Sequence, residues 1–161
     1  MTAHLRQLNL DPDAVKSARE VQRLAEKLKD DSAAHFAIKR LSELDPQNDQ
    51  LAVLEAYYAS LLNLPPRRAR EFLLSYHKNF PSDFLSLATL ALVALREKRP
   101  VEALALFHSS TLNLETMEPR YQAVYVAVMR ENQLDEAVRK LAVRIPSDRL
   151  TPAEQRLLGK F

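Results

Sequence analysis

Residues 100–107 read Pro100-Val101-Glu102-Ala103-Leu104-Ala105-Leu106-Phe107. A proline opens the run, where a first helical turn tolerates its missing N–H, and an acid follows where it favours the helix dipole. A small residue then stands at Ala103, and the large Phe107 lies one helical turn later on the same face. The frame recurs. Superposed on the small residue, Ser32-Ala33-Ala34-His35, Arg67-Arg68-Ala69-Arg70 and Asp135-Glu136-Ala137-Val138 place alanines at 34, 69, 103 and 137, at intervals of 35, 34 and 34 residues. Four residues after each alanine stand Ile38, Leu73, Phe107 and Leu141, all large and apolar. Seven after stand Leu41, Tyr76, Ser110 and Arg144, so the later copies are expected to pack more loosely, or against something else.

Working upstream, Ala18, Val53, Leu87 and Tyr121 lie sixteen residues before the alanines, and Val21, Ala56, Leu90 and Val124 thirteen before. This row predicts a second helix ahead of each alanine-bearing one. Breaks fall between the two at Lys29-Asp30-Asp31-Ser32, Leu64-Pro65-Pro66, Lys98-Arg99-Pro100 and Asn132-Gln133-Leu134. Pro66 and Pro100 share an offset, three before the alanine, which predicts a first-turn proline in both helices. Downstream, Asp45-Pro46 and Phe80-Pro81 end their helices, while Pro146 comes three residues early and shortens the last. Thr151-Pro152-Ala153-Glu154 combines an N-cap threonine with a capping-box glutamate and predicts a closing helix to about Leu158. The expected fold is all-α: four helix pairs at about 15–48, 49–82, 83–116 and 117–149, then a capping helix at about 151–159, in one domain spanning 1–161.

Composition agrees with that reading. Glycine occurs once among 161 residues, at Gly159, and hydrophobic residues make up 47%, which favours helices joined by short turns over β-hairpins. There is no cysteine, so disulfides and thiolate-ligated zinc are excluded. With 23 basic and 21 acidic residues the charge balance speaks against nucleic acid as a partner. The apolar stretches 51–64 and 84–95 fall short of the ~20 residues needed to span a bilayer. No basic segment followed by an apolar run opens the chain, so no secretory signal is expected and the compartment is read as cytoplasmic. His4, His35, His77 and His108 share no helical pair spacing, no glycine-rich phosphate loop exists, and Ser109-Ser110 lacks a nucleophile-elbow pattern. The expectation is a protein without enzymatic activity, cofactor or metal.

The unit of a helix pair, a small residue in the second helix, an aromatic residue four later and a terminal proline resembles the tetratricopeptide repeat family. Ala103 to Phe107 carries the likeness most fully, and Ala34 to Pro46 and Ala69 to Pro81 match its spacing, over roughly 15–149. The chain departs from it twelve residues before each alanine, where the family prefers a small residue and this sequence has Gln22, Tyr57, Ala91 and Tyr125. The resemblance implies a scaffold whose first helices line a concave groove for a protein or peptide partner. On that reading the groove comprises Leu51, Leu54, Tyr58 and Leu61 of the second pair, Leu85, Leu92, Leu95 and Arg96 of the third, and Val126, Met129 and Arg130 of the fourth.

Those helices are apolar on more sides than one core requires. Either a peptide or amphipathic helix covers the strip, or the chain fills it, for instance with the segment around Leu5, Leu8 and Leu10, or a second copy does so in a homodimer. An RNA-binding repeat of pentatricopeptide type is the alternative from another class, although it calls for a basic groove. Arg96 and Arg130, at one offset, read as a rim that holds an acidic group or as a solvated face. Arg67, Arg68 and Arg70 open a helix, where positive charge opposes the dipole.

Overall fold

The computed structural model describes residues 12–159, and within them the chain is all-α. Nine α-helices and two short 3-10 turns occur among the described residues, and no strand. In chain order they are α1 (Pro12–Leu28), α2 (Asp31–Leu44), α3 (Asp49–Leu61), α4 (Arg70–Asn79), α5 (Phe84–Arg96), α6 (Pro100–Ser109), α7 (Pro119–Glu131), α8 (Asp135–Ala142) and α9 (Pro152–Leu158). No helix of the described residues is long and apolar enough to cross a membrane.

The same turn ends α1, α3, α5 and α7. Lys29, Asn63, Lys98 and Gln133 take left-handed backbone with φ of 54, 57, 58 and 60°, at intervals of 34, 35 and 35 residues. One residue on, the N–H of Asp30, Leu64, Arg99 and Leu134 reaches back to the carbonyl of Ala25, Ala59, Ala94 and Met129, at 2.7–3.0 Å. This bond pattern closes a helix when the residue after its end turns left-handed, and glycine usually supplies that residue. Here four polar side chains adopt the conformation instead. Helix starts repeat as well: Asn48 accepts from the Leu51 N–H and Asp83 from the N–H groups of Leu85 and Ser86.

Packing is sequential. α2 lies on both α1 and α3, α3 on α5, α5 on α6 and α7, and α8 and α9 both on α7. The main core joins Ala25, Ala34, Ile38, Leu87, Ala103 and Phe107 with the tyrosines of α3 and α7. A second cluster sits under α8, where Val138 and Ala142 meet Ile145, Leu150 and Leu158.

Two of the four marker alanines do not pack. Ala34 and Ala103 are buried, whereas Ala69 and Ala137 are exposed. α4 begins only at Arg70, with Ala69 as its N-cap and Pro66 left in the preceding linker. The cause is the buried carboxylate of Glu55, 2% exposed, which accepts from the Arg67 N–H at 3.0 Å and holds the linker against α3. Arg68 donates to the Pro46 carbonyl and lies over the Phe72 ring, and Arg70 pairs with Glu102. The three arginines therefore tie the linker down rather than facing the dipole together. In α8 the buried face starts one residue later than the alanine, at Val138, because the helix packs on the cluster built with Ile145, Leu150 and Leu158.

The C-terminal helix meets the first hairpin. Thr151 and Glu154 form the capping box read from the sequence, which starts α9. The Ala153 N–H donates to Asp31 Oδ2 at 2.9 Å, Tyr57 Oη donates to Glu154 Oε1 at 3.1 Å, and Lys29 Nζ bonds the Asp148 carbonyl. At its far end α9 is held by Arg130, whose Nη1 donates to the Leu157 carbonyl at 3.1 Å. Gly159 follows with φ +78°, and a Cβ there would collide with the Arg130 guanidinium, so the lone glycine permits this close approach.

Candidate binding clefts

The residues of the expected groove are distributed over two clefts and a covered face of α7. α3 carries Leu51, Leu54 and Tyr58 at positions one and two turns apart, hence on one face. Asp83 caps α5 so that Leu85 stands at its mouth. These four residues share a first cleft of about 390 Å³ with Arg19 of α1 and Tyr121 of α7. Leu51, Leu54 and Leu85 are half-buried there, and Tyr58 is buried.

The rim of this cleft carries both signs: Arg19 and Arg120 against Glu26 and Asp83. Arg120 is held by Glu118, with its Nε 3.0 Å from Oε2, and its guanidinium lies 5.0 Å from the centre of the Tyr121 ring. Burial works against the Arg120 charge, but Tyr121, Glu118 and Tyr57 together outweigh it and the guanidinium is held more firmly charged than usual. Burial, reinforced by the charge of Glu26, pushes the Tyr58 phenol up to about 12. Tyr121 is also pushed up to about 12, again by burial first and Glu118 next, with Arg120 opposing. Both phenols are thus neutral at ordinary pH and able to donate hydrogen bonds.

Beyond Tyr58 and Arg120 a second cleft of about 320 Å³ reaches Lys29, Arg149, Thr151 and Glu154. Behind Tyr58 and Tyr121 the Tyr57 side chain is fully buried, its ring edge-on to both. It occupies the offset where the resemblance calls for a small residue, and α9 accommodates it through Glu154. Burial raises the Glu154 pKa above the ordinary range, against the hydrogen bonds from the Thr151 backbone and Tyr57 and the charge of Arg120.

A third cleft, about 420 Å³, opens at the C-terminal ends of α3, α5 and α7. Leu61, Leu92 and Leu95 line it, with Arg96 and Arg130 at the edge. Each of these arginines already gives one donor to the chain itself, Arg96 to the Leu64 carbonyl and Arg130 to that of Leu157. Neither is a solvated bystander. Val126 and Met129 line none of the three clefts, because α8 and the segment through Leu158 fold over that face of α7 and bury both. The expected contribution of Leu5, Leu8 and Leu10 lies outside the described residues.

Reading by offset missed Arg120, Tyr121 and Glu154 as cleft residues. Pro119 was the available signal, since a proline at the first helical position places the next residue on the rim of the helix mouth. Elsewhere His35 Nε2 lies 3.2 Å from Glu55 and His77 Nδ1 lies 2.7 Å from Ser86 Oγ, both serving packing. No group of three or more His, Cys, Asp or Glu side chains placed to hold a metal ion occurs among the described residues. The first cleft brings leucines together with fixed donors and both signs of charge, and the third brings leucines together with three arginines and one acid. Comparison with protein-family profiles, with curated proteins and with solved structures returned no match to the chain.

Proposed function

We propose that this protein is a helical repeat of tetratricopeptide type, four pairs plus a capping helix, that binds a short peptide segment of a protein partner in the first cleft. Four left-handed turns at intervals of 34 and 35 residues support the repeat. So do the matching caps Asn48 and Asp83, and the packing of α9 on α7 as of α7 on α5. On this reading α9 lies across the groove, and a short extended peptide fits the separate clefts better than a long amphipathic helix.

The observation that carries the peptide reading is the first cleft itself. Its floor has three half-buried leucines, its walls two neutral phenols, and its rim both charges within about 390 Å³. Apolar floor with a few fixed polar groups is the general form of a binding pocket. Paired opposite charges suit a polypeptide, with its own donors, acceptors and mixed side chains, better than a phosphate backbone. Selection of a displayed random-peptide library on the wild-type chain tests this. Recovered peptides should lose at least tenfold in affinity on Leu54→Asp, with the thermal midpoint held within a few degrees. Recovery of peptides indifferent to Leu54→Asp would remove the cleft as the site, and salt-sensitive binding of single-stranded RNA in place of peptides would favour the pentatricopeptide alternative.

A further inference from the structure

The third cleft differs from the first in charge, and it holds a polar group with no partner. Three arginines surround it, Arg96, Arg130 and Arg156, against one acid, Glu131. Arg156 makes no side-chain hydrogen bond or ion pair among the described residues, Arg96 spends one donor on a carbonyl, and Arg130 spends one on a carbonyl and pairs with Glu131 at 3.9 Å. At the bottom lies Ser60, 4% exposed, whose Oγ makes no hydrogen bond. A serine inside a helix can satisfy its hydroxyl on the carbonyl one turn back. Ser60 does not, and an unsatisfied buried hydroxyl is a cost that an alanine would remove. Leu95 and Leu157 are half-buried beside it and supply an apolar wall.

We infer that this cleft is a second binding site, for an acidic peptide segment in which a leucine-sized side chain sits between carboxylates. The apolar side chain lies against Leu95 and Leu157, a carboxylate oxygen or backbone carbonyl accepts from Ser60 Oγ, and the flanking carboxylates take the free guanidinium donors. Planar, forked donors match carboxylates two at a time, which is why arginine rather than lysine suits such a rim. A volume of about 420 Å³ fits two or three residues rather than a folded partner. The site is separate from the first cleft, with which it shares no lining residue.

The test is fluorescence anisotropy on the full chain with a labelled octapeptide bearing two leucines flanked by glutamates, beside a twin with glutamines for the glutamates. The acidic peptide should bind at least tenfold more tightly than the twin. Arg156→Gln, which breaks no internal contact, should weaken it at least fivefold, and Arg156→Lys should restore only part of that. Ser60→Ala should weaken binding while raising the thermal midpoint, a combination that a purely structural serine would not show. Leu54→Asp should leave this binding unchanged even if it abolishes peptide binding in the first cleft, so the two proposals fail separately. Equal affinity for the two peptides, no binding of the acidic one at millimolar concentration, indifference to Arg156→Gln, or loss on Leu54→Asp would each overturn the inference.

Discussion

The second and third helix pairs start from the same sequence frame and fold differently. In the α5–α6 hairpin Pro100 is the first helical residue, Ala103 is fully buried and Phe107 packs in the main core against Tyr125. In the α3–α4 hairpin the corresponding alanine, Ala69, is an exposed N-cap, and α4 leans on α5 through Leu73, Leu90 and Val93 more than back on α3. What separates them is one buried charge. Glu55 draws the Arg67 backbone to α3 and unwinds the start of the next helix, whereas Thr89, fourteen residues before Ala103, spends its hydroxyl on the Leu85 carbonyl of its own helix and the third linker is only Glu97-Lys98-Arg99. Apolar spacing fixes which side chains are available to a core. A buried polar group decides where the helix that carries them begins.

Removing that charge is the strongest way to break the contrast. Glu55→Ala deletes the acceptor for the Arg67 N–H and the partner of His35, and hydrogen bonds to a charged group contribute about 1.5–3 kcal/mol each. Urea unfolding should show a loss on that order. Amide exchange in the linker from Asn63 to Ala69 should speed up while that around Arg99 stays the same. Next in size, Ala103→Leu overfills a fully buried position and should cost about 1–3 kcal/mol. Ala69→Leu, at the matching offset but exposed, should stay within about 0.5 kcal/mol. Equal costs at the two alanines would mean that both hairpins pack alike.

The smallest effect is titratable. His77 of α4 bonds Ser86 of α5, and burial pushes its pKa below the ordinary histidine range, with Asp83 opposing. The unfolded chain therefore takes up the proton first on acidification. The contribution to stability is present above about pH 6.5 and declines as pH falls through that value toward the folded-state pKa. Between pH 7.5 and 5.5 the urea midpoint of the wild type should fall more than that of His77→Gln. Parallel pH profiles would show that the α4 contact carries no titrating group.

The helix order and the four turns were legible because both are local. Each turn needs only the end of one apolar run and a break before the next, and Pro100 and the Thr151 capping box read correctly for that reason. The face shared by Leu51, Leu54 and Tyr58 also followed from spacing within one helix. Contacts between distant segments did not. Nothing near Ala69 announces that Glu55, fourteen residues earlier, will claim its linker, and nothing near Val126 or Met129 announces that Ile145, Leu150 and Leu158 will cover them. Arg120 was missed because its place in the first cleft depends on how the mouth of α7 meets α1 and α3.

The proposed cleft-sized sites depend most on the contact of α9 with the first hairpin. The backbone N–H of Ala153 reports on it directly. Ala153 lies in the first turn of α9, where N–H groups have no partner within the helix, and its acceptor among the described residues is Asp31 Oδ2, 122 residues away in sequence. Native-state hydrogen exchange should find the Ala153 amide protected well above the other first-turn amides that lack such a partner, and Asp31→Ala should remove that protection. Exchange at the rate of a frayed seven-residue helix, unchanged by Asp31→Ala, would contradict that contact and with it the cleft-sized sites.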